Sequence, residues 1–217
     1  MTVADRRTQA ERRSSTRARL LSATIESLVE AGYTRTTTTE VTRRAGVSQG
    51  ALFKHFATKS ALVAAAAEQL FADLIADFDG AFERSTQASP APASPPVIVA
   101  LHRLWEVFCT PALQAVYRLY VEAPVDAELR AALVPVVRKH EANVQARARD
   151  LLPQLATSPA HEALFGAVMF AMQGMAVQRS VHLDAAKEAR ILEQFESLAV
   201  TFLGDGRPTH AGATTDA

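Results

Sequence analysis

The sequence predicts an all-α protein: an N-terminal three-helix domain of helix-turn-helix type, then a larger helical domain, about nine helices in total. Three observations carry this. Apolar residues recur at three- and four-residue steps through most of the chain. Capping residues and prolines suited to a first helical turn punctuate it at short intervals. No stretch alternates with period two for long enough to make a strand. With 217 residues, 48% hydrophobic and 21% charged, the chain has enough apolar side chain for one sizeable core or two small ones, which excludes the disordered and fibrous classes.

Residues 1 to 14 are polar and rich in arginine (Arg6, Arg7, Arg12, Arg13). They are read as a disordered arm, with insertion into a minor groove as the functional alternative. From Ser15 the pattern turns helical. Ala18, Leu21, Ile25 and Leu28 share a face, and Gly32 stands where a left-handed C-terminal cap belongs. Thr37-Thr38-Thr39-Glu40 reads as a capping box that opens a short second helix, Val41 to Ala45. Gly46 stops that helix and Ser48 caps a third, Gln49 to about His55. Two short helices joined by a tight glycine turn make a helix-turn-helix.

Thr58 opens a fourth helix, with Leu62, Ala66, Leu70, Leu74 and Phe78 on one stripe to near Arg84. Residues 85 to 96, STQASPAPASPP, read as a flexible linker. Pro96 then leads into Val97, Leu101, Leu104, Trp105 and Phe108. Thr110-Pro111 is an N-cap with a first-turn proline, leading into Leu113, Val116, Tyr117 and Tyr120, and Pro124 closes that helix. Asp126 opens the next, from Leu129 to Leu151, and Pro135 inside it is expected to kink or split it. Ser158-Pro159 reads again as cap plus proline. The helix that follows, to about His182, is apolar on nearly every side from Ala163 to Val177 and is expected to be buried all round. The last helix, about Asp184 to Leu203, has one stripe of Ile191, Phe195, Leu198 and Phe202 and another of Leu192, Ala199 and Leu203. Two apolar faces need two partners. The tail, residues 205 to 217, is expected to be disordered.

Charge and cysteine content narrow the function classes. The net charge is zero, yet residues 1 to 60 hold 11 Lys and Arg against 5 Asp and Glu, and the remainder holds 12 against 18. A basic first quarter confined to one small unit is the footprint of a phosphate-binding module. The single cysteine, Cys109, excludes an intramolecular disulfide and zinc held by paired cysteines, and reads as a small buried hydrophobe. No apolar run has signal-peptide or membrane-spanning length, so a soluble, cytoplasmic protein without membrane contact is expected.

Residues 32 to 62, GYTRTTTTEVTRRAGVSQGALFKHFATKSAL, resemble the DNA-binding domain of the TetR/AcrR family of transcriptional regulators at almost every fixed position of its pattern. The departure is Thr42, where the family usually has alanine. The resemblance implies a DNA-binding domain over residues 15 to 62 and a ligand-sensing and dimerisation domain over 63 to 204. It also implies a homodimer on a palindromic double-stranded operator, with repression as the default and release by a small apolar or amphipathic effector. No cofactor, metal or catalytic residue is expected.

The residue chemistry stands beside that match. Gly46 supplies the turn, Val47 and Leu52 plug the head, and Ser48 caps the recognition helix. Gln49, Gly50, Phe53 and His55 then form its exposed face: Gln49 can pair with a purine edge, Gly50 permits close approach, and Phe53 can touch a thymine methyl. Thr36, Thr37, Arg43, His55 and Lys59 suit phosphate, as does the Tyr33 hydroxyl. Further along, His102, Trp105, Phe108, Tyr117, Tyr120, Met169, Met172 and Gln173 are candidates to line a ligand pocket, with plain core as the alternative for each. Phe165, Gly174, Ile191, Phe195, Leu198 and Phe202 are candidates for the dimer interface, and the glycines Gly166 and Gly174 suit close helix approach there. Control by a protein partner with no small-molecule effector is the other reading within this class. GVSQG, residues 46 to 50, also matches the G-x-S-x-G elbow of serine hydrolases with Ser48 as nucleophile, but that elbow needs a preceding strand and TTEVTRRA reads as helix.

Overall fold

The computed structural model describes residues 9–87, 95–157, 159–182 and 184–203. Among these it holds nine α-helices, one 3-10 turn and no strand, as the periodicity predicts. They are α1 (Gln9–Arg35), α2 (Thr38–Ala45), α3 (Gln49–Phe53), α4 (Lys59–Gln87), α5 (Pro96–Phe108), α6 (Pro111–Glu122), α7 (Ala127–Leu151), the turn Pro153–Thr157, α8 (Pro159–Arg179) and α9 (Ala185–Leu203). The chain forms two compact units. One takes the chain as far as Ala76 with Cys109–Val144, the other Asp77–Phe108 with the chain from Gln145 onward, so the division runs through α4 and α7.

In the first unit, Leu20, Leu21 and Ala23 of α1 meet Val41 and Ala45 of α2, Leu52 of α3, Phe56, and Leu62 and Ala66 of α4 in one apolar cluster. Each fully buried leucine there contributes about 1.5–3 kcal/mol. Val47 packs on the edge of the cluster. The departure at Thr42 is accommodated, since its hydroxyl donates to Thr39 O at 3.0 Å. α6 packs along α1 and buries Leu113, Val116, Tyr117 and Leu119, so the small head is enlarged by a helix remote in sequence.

Several boundaries depart from expectation. The disordered arm is corrected over residues 9 to 14: α1 starts at Gln9, its exposed first turns are built from good helix formers, and Thr16 Oγ1 bonds back to Arg12 O at 2.9 Å. Arg6 and Arg7 lie outside the described residues. Gly32 has φ 75° and ψ 174°, which is a glycine-only break inside α1 rather than a left-handed cap at its end. α4 runs to Gln87, so the linker cannot begin at residue 85; residues 88–94 lie outside the described ones. Pro135 does not split α7, which continues through it with Leu129 and Leu133 buried. Ser158 and the tail also lie outside the described residues.

In the second unit α5 packs on α9 and α8 on the 3-10 turn. Val97, Ala148, Leu152 and Leu155 form its cluster, with Phe165, Ala199 and Leu203 partly buried against it. The expectation that α8 is buried all round is overturned for the single chain. Only Met172, Met175 and Ala176 are buried, while Phe170 is 73% exposed, because intrachain neighbours cover one side of a helix that is apolar on several. α9 has no fully buried residue; its Ala199 and Leu203 stripe faces the cluster and its Leu198 and Phe202 stripe faces out. Cys109 is half-buried rather than buried. Among the described residues no helix is long and apolar enough to cross a membrane.

Candidate nucleic-acid interface

α3 is short and owes its existence to its ends and one anchor. Ser48, in extended backbone, accepts the Ala51 N–H on Oγ at 3.1 Å, and the Lys54 N–H closes the other end on Gly50 O at 3.3 Å. Leu52 is fully buried, which turns Gly50, Phe53 and Lys54 outward; Phe53 is 52% exposed. Gln49 is half-buried: its amide donates to Thr39 Oγ1 at 3.1 Å, tying α3 to α2, and its buried Oε1 has no partner.

The turn before α3 depends on Gly46, which sits at φ 61°, ψ 42°. Arg19 donates from Nη2 to Ala45 O and, at 2.9 Å, to Gly46 O. A Cβ on Gly46 would lie 2.8 Å from that nitrogen, so both the backbone angle and the close approach require glycine. Thr37 caps α2 by accepting the Glu40 N–H at 3.2 Å. Only that half of the capping box forms. The Glu40 carboxylate turns instead to Arg43 at 2.8 Å and Arg44 at 2.5 Å, and Arg44 reaches Glu30 at 2.5 Å. Hydrogen bonds from Arg43 and then Arg44 hold the Glu40 carboxyl down at about 2.

Of the residues read as phosphate contacts, three are turned inward. Thr36 is 1% exposed, with its hydroxyl 3.0 Å from Ser27 Oγ and donating to Gly32 O at 2.9 Å. Tyr33 donates from its hydroxyl to Asp126 Oδ2 at 2.8 Å. Lys59 donates from Nζ to Tyr33 O at 2.7 Å while lying 3.9 Å from the centre of the Tyr33 ring, and burial lowers its pKa. In this structure these groups lock α1, α4 and the start of α7 together instead of facing solvent. The sequence hides this, because Tyr33 and Asp126 are 93 residues apart. Thr37, Arg43 and Ser48 are exposed, and His55 is half-exposed beside Phe56. Burial, then the charges of Arg13 and Arg17, push the His55 pKa below its ordinary value.

Thr39, Lys54 and Arg17 are exposed on the head and were missed by the motif reading, while Arg13, read as part of a disordered arm that could reach a minor groove, is exposed on a formed helix. The four-residue spacing of Arg13 and Arg17 is the signal that an extended α1 would have made visible.

The candidate pocket residues fall in both units. Tyr117 and Tyr120 lie on α6 in the first, their rings 5.7 Å apart, and burial raises both pKa values, that of Tyr120 to about 12. The other six belong to α5 and α8 in the second unit. Phe108 and Met172 are buried core, Met169 and Gln173 are half-buried, and two polar tips are already taken by α9. His102 Nε2 lies 2.7 Å from Glu196 Oε1, and the Trp105 indole donates to Glu188 Oε1 at 3.0 Å. Of the candidate dimer residues, Phe165, Ile191 and Phe195 are half-buried and Gly174, Leu198 and Phe202 exposed. A Cβ on Gly166 or Gly174 meets nothing within 4 Å, so among the described residues no contact explains either glycine.

A closed helical head that presents a short, capped and solvent-facing third helix defines a DNA-binding transcriptional regulator of the helix-turn-helix class. Comparison with known proteins names the family. Residues 20–66 match the model of the bacterial regulatory proteins of the tetR family. An uncharacterised HTH-type transcriptional regulator of Mycobacterium tuberculosis is 36% identical over 146 residues, covering 67% of this chain and 72% of that protein. Among solved structures, a TetR-family regulator from Mesorhizobium loti shares the fold with a TM-score of 0.67 at 16% identity, over 88% of this chain and 96% of the other. The multidrug binding protein EbrR, solved with imidazole, shares it with a TM-score of 0.59 at 20% identity, over 97% and 100%. The chain belongs to the TetR family. It is a regulator and not an enzyme, and Ser48 is a helix cap.

Proposed function

We propose that the protein is a homodimeric repressor that holds a palindromic operator through α3 and releases it when a small apolar or amphipathic molecule binds its C-terminal helices. The observation that carries the DNA part is the face of α3, where Gly50 and Phe53 project from a helix anchored by Leu52 and Gln49 lies half-buried at its edge against Thr39. Thr37, Thr39, Arg43 and Lys54 surround that face and suit phosphate. The uncovered stripes of α8 and α9 support pairing of two copies, since a soluble monomer rarely leaves Phe170, Val177, Leu198 and Phe202 in water together. The name of EbrR, a multidrug binding protein of the same fold, supports a small-molecule effector. Residues of α5 and α8 in the second unit, such as Trp105 and Met172, supply apolar surface for one, with a coupling of about 1–3 kcal/mol between effector and DNA.

The test is selection of a duplex from random-sequence DNA with the full chain, followed by footprinting. Two protected half-sites with centres about 34–36 Å apart, or a small multiple of that, are expected. Gln49→Ala should cost about 1–3 kcal/mol on the selected duplex and little on random DNA. Equal losses on both would remove Gln49 from the base-reading set.

A further inference from the structure

We propose that Arg13 and Arg17 of α1, together with His55 at the end of the recognition helix, form a DNA-phosphate site that takes up a proton when the duplex binds. The inference rests on the DNA-binding reading and adds to it a site and a dependence on pH.

The geometry comes first. Because α1 begins at Gln9, Arg13 and Arg17 stand one turn apart on a formed helix, both exposed. The Arg17 guanidinium lies 5.6 Å from the centre of the Phe56 ring, and the His55 ring centre is 6.2 Å from that of Phe56. Arg17 and His55 thus both lie beside the Phe56 ring, and the charges of Arg13 and Arg17 both act on His55. Lys54 precedes His55 on the same exposed stretch and adds to the positive field.

The charge accounting is uneven across the head. Arg43 and Arg44 are neutralised by Glu40 and Glu30. Neither Arg13 nor Arg17 has an ion pair among the described residues. Burial first, and then the charges of Arg13 and Arg17, disfavour the protonated form of His55, which alone of the three can shed its proton. An anion placed between them removes that repulsion. A recognition helix in the major groove has phosphates flanking it, and arginine forks match phosphate oxygens. With phosphate in place the cationic form of His55 is favoured, so its pKa rises on binding. The bound state then holds more protons than the free state, and affinity increases as pH falls.

The experiment uses the full chain, a duplex it selects from random-sequence DNA, and a random duplex, with affinity measured from pH 6 to 8 over a salt series. Both affinities should rise on acidification, by at most about tenfold per pH unit for each head. His55→Gln should flatten that dependence. Arg13→Gln and Arg17→Gln should each weaken both duplexes alike and lower the salt slope by about 1 per head, with Arg17→Lys restoring the slope. In the DNA-free protein each Arg→Gln change should raise the His55 pKa, read from its imidazole proton by NMR and assigned by its loss in His55→Gln. A pH dependence that survives His55→Gln, none in the unmodified protein, or a salt slope unmoved by the double arginine variant overturns the proposal. Failure of the unmodified chain to select any duplex overturns the DNA-binding reading instead.

Discussion

In the head, Leu20, Val41 and Leu52 are fully buried, whereas Phe170 on α8 and Phe202 on α9 are 73% and 47% exposed. Both regions follow the three- and four-residue apolar rhythm of helices. The difference lies in who supplies the second surface. α1, α2, α3 and the start of α4 close on one another and α6 packs along α1, so the apolar stripes of the head find their partners within the same chain. α8 and α9 bring more apolar surface than α5 and the 3-10 turn can cover. A regular apolar period thus reports that a face wants cover, and leaves open whether the same chain provides it.

Four changes sharpen that contrast. The largest effect is expected from Leu52→Ala, which empties a fully buried site and should cost about 2–5 kcal/mol in urea unfolding. The same truncation at Phe170 should leave a dilute single chain within about 0.5 kcal/mol. Phe170→Glu and Phe202→Glu place charges on the uncovered stripes and should shift sedimentation toward monomer with helix content retained. If the unmodified protein sediments as a monomer at every concentration, the proposed pairing fails.

Gly46→Ala comes next, at about 1–2 kcal/mol for the left-handed backbone alone, with Arg19 forced to move as well. Its thermal unfolding should fall accordingly, while Gly174→Ala, at an open helical position, should raise stability or leave it unchanged.

The smallest effects are those of pH. Burial against Phe71, with the rings stacked 3.8 Å apart, pushes the His140 pKa down from 6.5 to about 4. The unfolded chain therefore binds the proton first, and stability should drop as pH falls from about 6.5 to about 4. His140→Phe should remove that slope. Glu40 behaves as a lowered carboxylate: its contribution is present above 4.5 and lost as pH falls toward about 2, and Glu40→Gln should flatten acid unfolding in that window.

Much of this was readable from residue patterns because it is local. Ser48 capping α3, Thr110 capping α6 and Asp126 capping α7 each act within three residues, as does the Gly46 turn. The exposed set Gly50 and Phe53 follows from one buried neighbour, Leu52. The residue patterns and the structure part where a side chain has two plausible destinations. Thr36, Tyr33 and Lys59 carry groups fit for phosphate, and the fold gives them inward partners.

The sequence by itself determined the helical class, the helix-turn-helix, its caps and its turn, because hydrogen bonds and backbone angles within a few residues decide those. Only the tertiary structure decided that α6 packs on α1, that Asp126 takes the Tyr33 hydroxyl, and that one stripe of α9 turns inward and the other out. Those outcomes depend on surfaces brought together across tens of residues, where periodicity states the need for a partner and packing selects which one meets it.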